Sequence, residues 1–253
     1  MTDTLMPEPH ELLRVDRLQL SYGCSSVLRG VDLRLQRGEL MGLIGPNGSG
    51  KTSLIRALVG LVPYSAGEIR VAGVALADDL LRARAAIGYA PDPTRLPGTL
   101  SGRQALGVVA AARGLASLPT DVPVLAERLG ASRWLDHRID SLSLGTRQKM
   151  AILMALLGRP PLLILDEVMN GLDPISSHEL KLELIERCER EGCAVLLATH
   201  GLEIAPTLLT AAVLLADGAI RHRWTRSELL QWRHGDPGAF ERAVVEALRR
   251  DPD

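Results

Sequence analysis

The feature that most constrains this chain is a glycine-rich loop set between a short apolar stretch and a helical one. The segment Gly45-Pro46-Asn47-Gly48-Ser49-Gly50-Lys51-Thr52 satisfies in full the pattern GxxxxGK followed by Ser or Thr. Residues 39–44 form an apolar run typical of a buried strand, and residues 53–61 have the composition of a helix. A glycine-rich turn and a helix N-terminus point backbone N–H groups into one concavity. The sequence therefore predicts a phosphate site in an α/β fold.

The residue types in this loop divide the work of binding a nucleotide. The glycines let the backbone turn its amides inward, Lys51 reaches the outer phosphates, and Thr52 is placed to ligate Mg²⁺. A glycine-rich turn that matches by chance is the alternative, and the strand and helix around the motif argue against it. We expect nucleotide contacts from Gly45, Pro46, Asn47, Gly48, Ser49, Gly50, Lys51, Thr52 and Ser53.

Two adjacent carboxylates end a second apolar run. Residues 162–165 are all apolar, and Asp166 and Glu167 follow them directly. In open α/β folds ligands bind at the carboxyl ends of the parallel strands, so this pair belongs at the same edge as the phosphate loop. Because side chains alternate along a strand, the two carboxylates have different tasks. We expect Asp166 to hold Mg²⁺ and Glu167 to orient or deprotonate the attacking water; the alternative is a solvated loop start.

The remaining pattern divides into strand-like and helical stretches. Strands are predicted at residues 11–20, 27–35, 67–75, 87–90, 162–165, 194–198, 213–216 and 219–223. Helices are predicted at residues 80–87, 176–190 and 227–249, the last broken at 235–238, and residues 101–158 are dominated by helix formers. A helix between the strands at 162–165 and 194–198 predicts a parallel crossover.

Composition and charge argue against several classes of protein. The 253 residues carry 29 basic and 30 acidic side chains, a net charge of −1, which disfavours a general nucleic-acid-binding surface. No apolar run approaches the roughly 18 to 20 residues of a membrane helix, and residues 1–10 show no secretion signal. Cys24, Cys188 and Cys193 lack the spacing of a disulfide frame or a zinc site, so we expect free thiols in a reducing cytoplasm.

A third motif gives the chain a family resemblance. Leu142-Ser143-Leu144-Gly145-Thr146-Arg147-Gln148 is similar to the LSGGQ signature and lies in the predicted helical region. With the two earlier motifs, it makes the chain resemble the ATP-binding subunit of an ABC transporter from about Leu12 to Ile220. The resemblance implies an α/β fold: a P-loop NTPase core, with a mainly parallel sheet flanked by helices, an N-terminal antiparallel β subdomain and an inserted α-helical subdomain.

The signature and three further positions match the family one by one. The resemblance implies that Ser143, Gly145 and Thr146 of one subunit contact the ATP held by another; the alternative is an ordinary helix cap at Ser143. The aromatic residue on which the family stacks adenine corresponds to Tyr22. The loop that crosses the dimer interface corresponds to residues 170–173, which include Asp173. The switch histidine, which supports Glu167, corresponds to His200. Taken alone, Tyr22 is more typical of a packing residue at a strand end, Asp173 could be a helix cap, and His200 could be a structural or exposed imidazole.

One position departs from the family pattern. Where the family carries glutamine, residues 87–92 end in Asp92, which accepts from a metal-bound water but cannot donate as an amide does. Asp92 is therefore a candidate metal residue beside Thr52 and Asp166, against the alternative of a plain loop aspartate between two prolines. An acidic residue here and the variant signature resemble the drug, antibiotic and peptide efflux branch.

The resemblance implies an ATPase, with ATP and Mg²⁺ as cofactors, that dimerises around two ATP and powers a membrane transporter. We expect transmembrane permease subunits as partners, a homodimer or a paired ATPase subunit, no nucleic acid, and a peripheral place at the cytoplasmic face of the membrane. Export of a drug, peptide or other small molecule is favoured. The alternatives are an importer subunit, a non-transport ABC ATPase acting on nucleic acid or the ribosome, and a scaffold that binds ATP without hydrolysis. The lack of a long heptad run disfavours the non-transport ATPase. The presence of Glu167 and His200 disfavours the scaffold that does not hydrolyse ATP.

The sequence also suggests how the chain is divided. A single ABC ATPase domain is predicted over residues 11–222, with the β subdomain and P-loop core at 11–90 and 158–222 and the helical subdomain at about 91–157. Residues 223–253 are predicted to form a short helical C-terminal extension. This extension carries Trp232 and Phe240, two of the few aromatic residues, and we expect it to pack on the core; the alternative is contact with a partner.

Overall fold

Two sheets with flanking helices make up the fold, and the structure, a computed structural model, describes residues 10–202, 205–233 and 238–249. The described strands are β1 (Glu11–Tyr22), β2 (Ser25–Gln36), β3 (Leu40–Ile44), β4 (Ala66–Val71), β5 (Val74–Ala75), β6 (Ile87–Tyr89), β7 (Leu162–Asp166), β8 (Ala194–Ala198), β9 (Ala211–Ala216) and β10 (Ala219–Trp224). The described α-helices are α1 (Lys51–Leu58), α2 (Leu80–Ala85), α3 (Gly102–Ala112), α4 (Val122–Arg128), α5 (Leu144–Leu156), α6 (Pro174–Glu191), α7 (Ala205–Leu208), α8 (Arg226–Arg233) and α9 (Ala239–Arg249).

The larger sheet carries both the phosphate loop and the acidic pair. Its strands lie in the order β10-β9-β3-β8-β7-β6, and neighbours are parallel except in the β9–β10 hairpin. The residues of β3 and β8 are all buried, as expected for central strands covered on both faces. The loops that follow β3, β7 and β8 leave the sheet at one edge. The predicted parallel core and the crossover through α6 are confirmed.

The smaller sheet is antiparallel and lies over one face of the larger one. Its strands have the order β2-β1-β4-β5, and the long β1–β2 hairpin contains several register shifts. An apolar cluster fills the space between the sheets and includes Val15, Leu33, Leu43 and Leu54. This arrangement confirms the predicted N-terminal β subdomain and brings β2 next to the start of α1.

A second apolar cluster covers the other face of the larger sheet. It joins α3, α4 and α5 to α6 and includes Leu106, Met150 and Leu163. The side chain of Arg128 at the end of α4 also reaches α6, where it pairs with Glu179 at 2.9 Å and Glu183 at 2.7 Å. The helical insertion is thereby attached to the core through α6 as well as through its own chain connections.

Several predicted element boundaries differ from the structure, and three of the differences have a clear physical reason. Residues 67–75 form two strands rather than one, because Ala72 and Gly73 adopt φ angles of +47° and +80° and turn the chain. The helix after the phosphate loop begins at Lys51 and ends at Leu58, ahead of Gly60 with φ +68°. The helix predicted from residue 176 begins at Pro174, because Asp173 caps it.

The C-terminal helices pack on the core through aromatic rings, as predicted. The Phe240 side chain is 3% exposed and its ring lies 5.2 Å from that of Trp224 and 5.3 Å from that of Trp232. The predicted break at 235–238 falls largely outside the described residues, between the end of α8 and the start of α9, and residues 1–9 also lie outside them. The domain boundaries stay predictions. Among the helices described, none has the length and apolar character needed to span a membrane.

Candidate nucleotide-binding and catalytic site

The phosphate loop follows β3 and turns directly into α1. Gly48 and Gly50 have φ angles of +81° and +106°, and Gly50 stands at the cap of α1, which starts at Lys51. Gly45 lies so close to β9 that an added Cβ would be 2.2 Å from the carbonyl oxygen of Leu215. Glycine is therefore required by backbone conformation at two positions of the loop and by lack of space at the third.

The polar atoms of this loop fit a phosphate group. The Lys51 side chain lies against the loop, and its Nζ donates to the carbonyl oxygens of Gly45 at 2.7 Å and Pro46 at 3.1 Å. The Ser49 hydroxyl is buried and has no hydrogen-bond partner in the described part of the chain. Among the residues described, this hydroxyl has no partner and the hydrogen bonds of the lysine go to loop carbonyls, so both groups are available to an anion.

Two adjoining cavities lie over this loop. The smaller, of about 270 Å³, is lined by Val27, Asn47, Gly48, Gly50, Lys51, Thr52, Ser53, Asp166 and Glu167. The larger, of about 570 Å³, is lined by Thr52, Arg56, Tyr89, Ala90, Pro91, Asp92, Pro93, Thr94, Leu144, Gly145, Gln148, Asp166, Glu167, Asn170 and Gly171. Both cavities include Thr52, Asp166 and Glu167. The phosphate loop, the acidic pair, Asp92 and part of the signature therefore meet at one place.

Asp166 ends β7 beside the start of α1, and it lines both cavities together with Thr52. Burial and the neighbouring Glu167 carboxylate raise the pKa of Asp166, while the Thr52 side chain and the charges of Lys51 and Arg56 act in the opposite direction. No group of three or more His, Cys, Asp and Glu side chains within the described ranges forms a complete metal site. A hydroxyl and one carboxylate nevertheless fit Mg²⁺, which usually takes one or two carboxylates together with phosphate oxygens and water.

Glu167 leaves the strand in a different direction from Asp166. Its φ is +50°, and its N–H donates to the carbonyl oxygen of Ala198 at the end of β8. The His200 Nδ1 lies 2.9 Å from Glu167 Oε2, and Asn170 Nδ2 donates to the same oxygen at 3.2 Å. The structure thus brings together the two predicted catalytic residues. Asn170, which the sequence suggested only as part of the following loop, is a third member of this group.

Asp92 caps a 3₁₀ turn at Pro93–Arg95 and faces the larger cavity. Its Oδ1 accepts from the Thr94 N–H at 2.8 Å and from the Thr94 hydroxyl at 2.6 Å. These two hydrogen bonds lower the pKa of Asp92, so the group is an anion at neutral pH. The loop-aspartate interpretation describes its local contacts, and a part in metal binding stays a prediction.

The signature begins α5 and lies against the loop that follows Glu167. Ser143 caps α5 by accepting from the Thr146 N–H at 3.2 Å, and the two hydroxyl oxygens are 2.9 Å apart. A Cβ on Gly145 would be 2.7 Å from the carbonyl oxygen of Gly171. Asp173 caps α6, as the sequence allowed. The contacts of Ser143, Gly145, Thr146 and Asp173 with a second subunit stay predictions.

Tyr22 lies at the end of β1, next to the hairpin that leads to β2. Its side chain is 48% exposed and lines neither of the two cavities, although Val27 of the same hairpin lines the smaller one. Stacking of adenine on Tyr22 therefore stays a prediction. A second tyrosine, Tyr89 of β6, lines the larger cavity, and burial raises its pKa. Its position near the end of a predicted strand was the only sequence signal for it.

Comparison with known proteins identifies the family. Residues 28–170 match the sequence model described as ABC transporter, and these residues include the phosphate loop, the signature and the acidic pair. The chain belongs to the ABC transporter family. It is an ATPase subunit with the P-loop NTPase fold, in a family whose ATP-binding domains bind and hydrolyse ATP, dimerise and work with transmembrane permease subunits.

Individual relatives agree with this assignment over most of their length. The chain is 35% identical to the uncharacterized ABC transporter ATP-binding protein YdbJ of Bacillus subtilis, covering 85% of this chain and 69% of YdbJ. It is 31% identical to the ABC-type transporter ATP-binding protein EcsA of the same organism, covering 95% and 98%. A solved ATP-binding subunit of an ABC transporter superposes with a TM-score of 0.83 at 30% identity, covering 92% and 99%. Other relatives, 28% and 35% identical, are named for linearmycin resistance in Bacillus subtilis and for phosphonates import in Alcaligenes faecalis.

Proposed function

We propose that this chain binds ATP with Mg²⁺ over the phosphate loop, hydrolyses it with Glu167 as the base, and powers a permease that exports a small molecule. The observation that supports it most is the position of Glu167. Its carboxylate lines both cavities beside Lys51 and Thr52, while His200 and Asn170 contact one of its oxygens. A base must be held within hydrogen-bond reach of the water it activates, and these contacts hold it.

The residues of the chain divide the reaction between them. Lys51 exchanges its hydrogen bonds with the loop carbonyls for bonds to the outer phosphates, and the loop amides and Ser49 bind the remaining oxygens. Thr52 and Asp166 would hold Mg²⁺, which when bound neutralises charge on the phosphates. Glu167 orients the attacking water and accepts its proton. His200 and Asn170 hold the carboxylate in place.

The same proposal assigns roles across a subunit interface. Tyr22 stacks on adenine, while Ser143, Gly145 and Thr146 of a second subunit bind the γ-phosphate and Asp173 lies in the interface loop. Ser143 supports this assignment because it stands at the N-terminus of α5, where the hydroxyl and the free helical N–H groups suit an anion. The second subunit is either another copy of this chain or a paired ATPase. The dimer then sits at the cytoplasmic face of the membrane through its permease.

Replacing Glu167 with Gln tests the assignment of the base. The amide keeps the size of the side chain but accepts no proton, so turnover should fall by about a hundredfold or more. ATP affinity, measured by calorimetry, should stay close to wild type because Lys51 and the loop are unchanged. Light scattering should show an ATP-dependent dimer that persists. Glu186→Gln on the exposed side of α6 is the matched control. Near wild-type turnover in Glu167→Gln would refute the assignment.

The partner is tested by purification from membranes. Tagged Glu167→Gln protein with ATP should retain a multi-span membrane protein after detergent extraction. Recovery only from the soluble fraction, together with ribosomal or DNA-bound proteins, would instead favour the non-transport alternative.

The direction of transport rests on two sequence features and one relative. The signature variant and Asp92 resemble the efflux branch, and the relative named for linearmycin resistance is consistent with export. Import is the second candidate, favoured by the relative named for phosphonates import. Inverted membrane vesicles expose the ATPase to added ATP, so ATP-driven accumulation of linearmycin inside them supports export. Release of preloaded methylphosphonate on addition of ATP would support import.

A further inference from the structure

An ion pair joins the signature helix to the start of α6. The Lys149 Nζ in α5 lies 2.6 Å from Asp173 Oδ2, and the Lys149 side chain is only 13% exposed. The chain has three lysines, of which Lys51 belongs to the phosphate loop and Lys181 to α6. No role for Lys149 follows from the three motifs. The contact between Lys149 and Asp173 joins residues that are 24 positions apart in the sequence, and none of the three motifs accounts for it.

The Asp173 carboxylate is held from several directions at once. Its Oδ1 accepts from the Ser176 N–H at 2.9 Å, and its Oδ2 lies 2.8 Å from the Ser176 hydroxyl as well as next to Lys149. The same hydroxyl is 3.0 Å from the carbonyl oxygen of Leu129 at the end of α4. Asp173 is thus a fixed anion at a point where α4, α5 and α6 meet, and Lys149 is the cation that attaches α5 to it.

A backbone contact next to this ion pair links the same two segments. The first turn of α5 lies so near the loop after Glu167 that a Cβ on Gly145 would clash with the Gly171 carbonyl oxygen. That loop is held at one end by the bond from Asn170 to Glu167 and at the other by Asp173. A continuous series of contacts therefore runs from the signature to the catalytic base.

We propose that Lys149 is a positioning residue that fixes the signature relative to the loop carrying Asn170, and thereby sets the place of Glu167. The proposal rests on the proposed function, because it assumes that Glu167 is the base. If Lys149 loses its charge, the start of α5 and the loop are free to separate. The base is then less well placed in its own site, and the signature is less well placed toward the second subunit. ATP binding at the phosphate loop does not involve Lys149.

The test is a set of variants around the ion pair. Lys149→Met keeps the aliphatic stem and removes the charge, Lys149→Arg restores it, and Asp173→Asn keeps the helix cap while removing the negative charge. Lys181→Met on α6 is the matched control. Steady-state ATPase kinetics, ATP affinity by calorimetry and thermal unfolding are measured for each full-length protein. Near-attack geometry is sensitive to small displacements, so kcat of Lys149→Met should fall about tenfold or more.

The outcomes separate positioning from a merely structural role. We expect ATP affinity within about twofold of wild type, recovery of kcat in Lys149→Arg, and a double variant Lys149→Met/Asp173→Asn no slower than the slower single variant. A parallel loss of ATP affinity and thermal stability, or unchanged kcat in Lys149→Met, would overturn the proposal. If Glu167→Gln turns over normally, the proposed function itself fails; if it is inactive while Lys149→Met is normal, only this inference fails.

Discussion

Substituting Ala for Gly45 tests how tightly the phosphate loop is fitted to the sheet. The new Cβ would lie 2.2 Å from the Leu215 carbonyl oxygen and 2.8 Å from the Ser49 hydroxyl oxygen. The Leu215 carbonyl belongs to the backbone of β9, which pairs with β3 at Leu43 and Ile44. Because of this pairing, β9 cannot move away from the loop by itself. The loop must therefore move by about 1 Å to restore an ordinary contact.

We expect this movement to lower both the free energy of unfolding and the affinity for ATP. Overpacking a well-packed site lowers the free energy of unfolding by about 1–3 kcal/mol, which for a chain of this size is about 2–12 °C in Tm. The loop amides and Lys51, which are proposed to bind the phosphates, move with Gly45, so we expect ATP affinity to fall as well. Loss of one charge-assisted hydrogen bond, worth about 1.5–3 kcal/mol, corresponds to a Kd higher by about tenfold to a hundredfold.

Thermal unfolding and calorimetric titration with ATP measure both effects. Gly107→Ala is the matched control, since Gly107 lies within α3 and a Cβ there meets nothing within 4 Å. The same substitution should stabilise α3 by up to about 1 kcal/mol and leave ATP binding unchanged. Equal Tm and equal ATP affinity in Gly45→Ala and wild type would refute the steric reasoning.

Two further predictions concern titratable groups. Because burial raises the pKa of Asp166, its ionised form lowers stability above that pKa, and the penalty disappears once the group is protonated in both folded and unfolded states. Asp166→Asn should therefore raise the Tm of the nucleotide-free protein near neutral pH but not at about pH 3, while abolishing turnover; an unchanged Tm near neutral pH would contradict this. Iodoacetamide should label exposed Cys24 rapidly and leave buried Cys188 and Cys193, whose pKa burial raises to about 12, unmodified in the native protein. Intact-mass analysis that shows a second rapid adduct would count against this burial.

The motifs could be located from sequence because each is local. The phosphate loop needs its glycines at fixed offsets from Lys51 and Thr52, and Asp166 and Glu167 follow directly from the end of β7. Parallel pairing of β3, β7 and β8 then brings their loops to one edge without any further information. The place of His200 beside Glu167 came from the family resemblance, and the structure brings the two together because β8 lies next to β7.

The contacts that join these motifs could not be predicted in the same way. The pairing of Lys149 with Asp173 depends on how α5 crosses the start of α6, which is decided by burial of both helices against the sheet. The Thr94 hydrogen bonds to Asp92 depend on a short 3₁₀ turn at Pro93–Arg95. The prolines in this part of the sequence indicate that helix and strand are interrupted, but they do not predict the 3₁₀ turn. Residues 67–75 were misassigned because their apolar residues continue through a tight turn.

The left-handed backbone at Glu167 has an evolutionary consequence. A residue with a Cβ is held in this conformation at a cost on the order of 1 kcal/mol or more, whereas Gly and Asn adopt it readily. Neither Gly nor Asn has a carboxylate, so the residues that adopt this backbone conformation most readily cannot act as the base in ATP hydrolysis. Selection for hydrolysis must therefore oppose a steady mutational pull toward stability at this one position. A descendant of this chain that no longer needs to cleave ATP would gain stability by replacing Glu167. Asn or Gly at position 167 would therefore indicate a homologue that has lost ATPase activity.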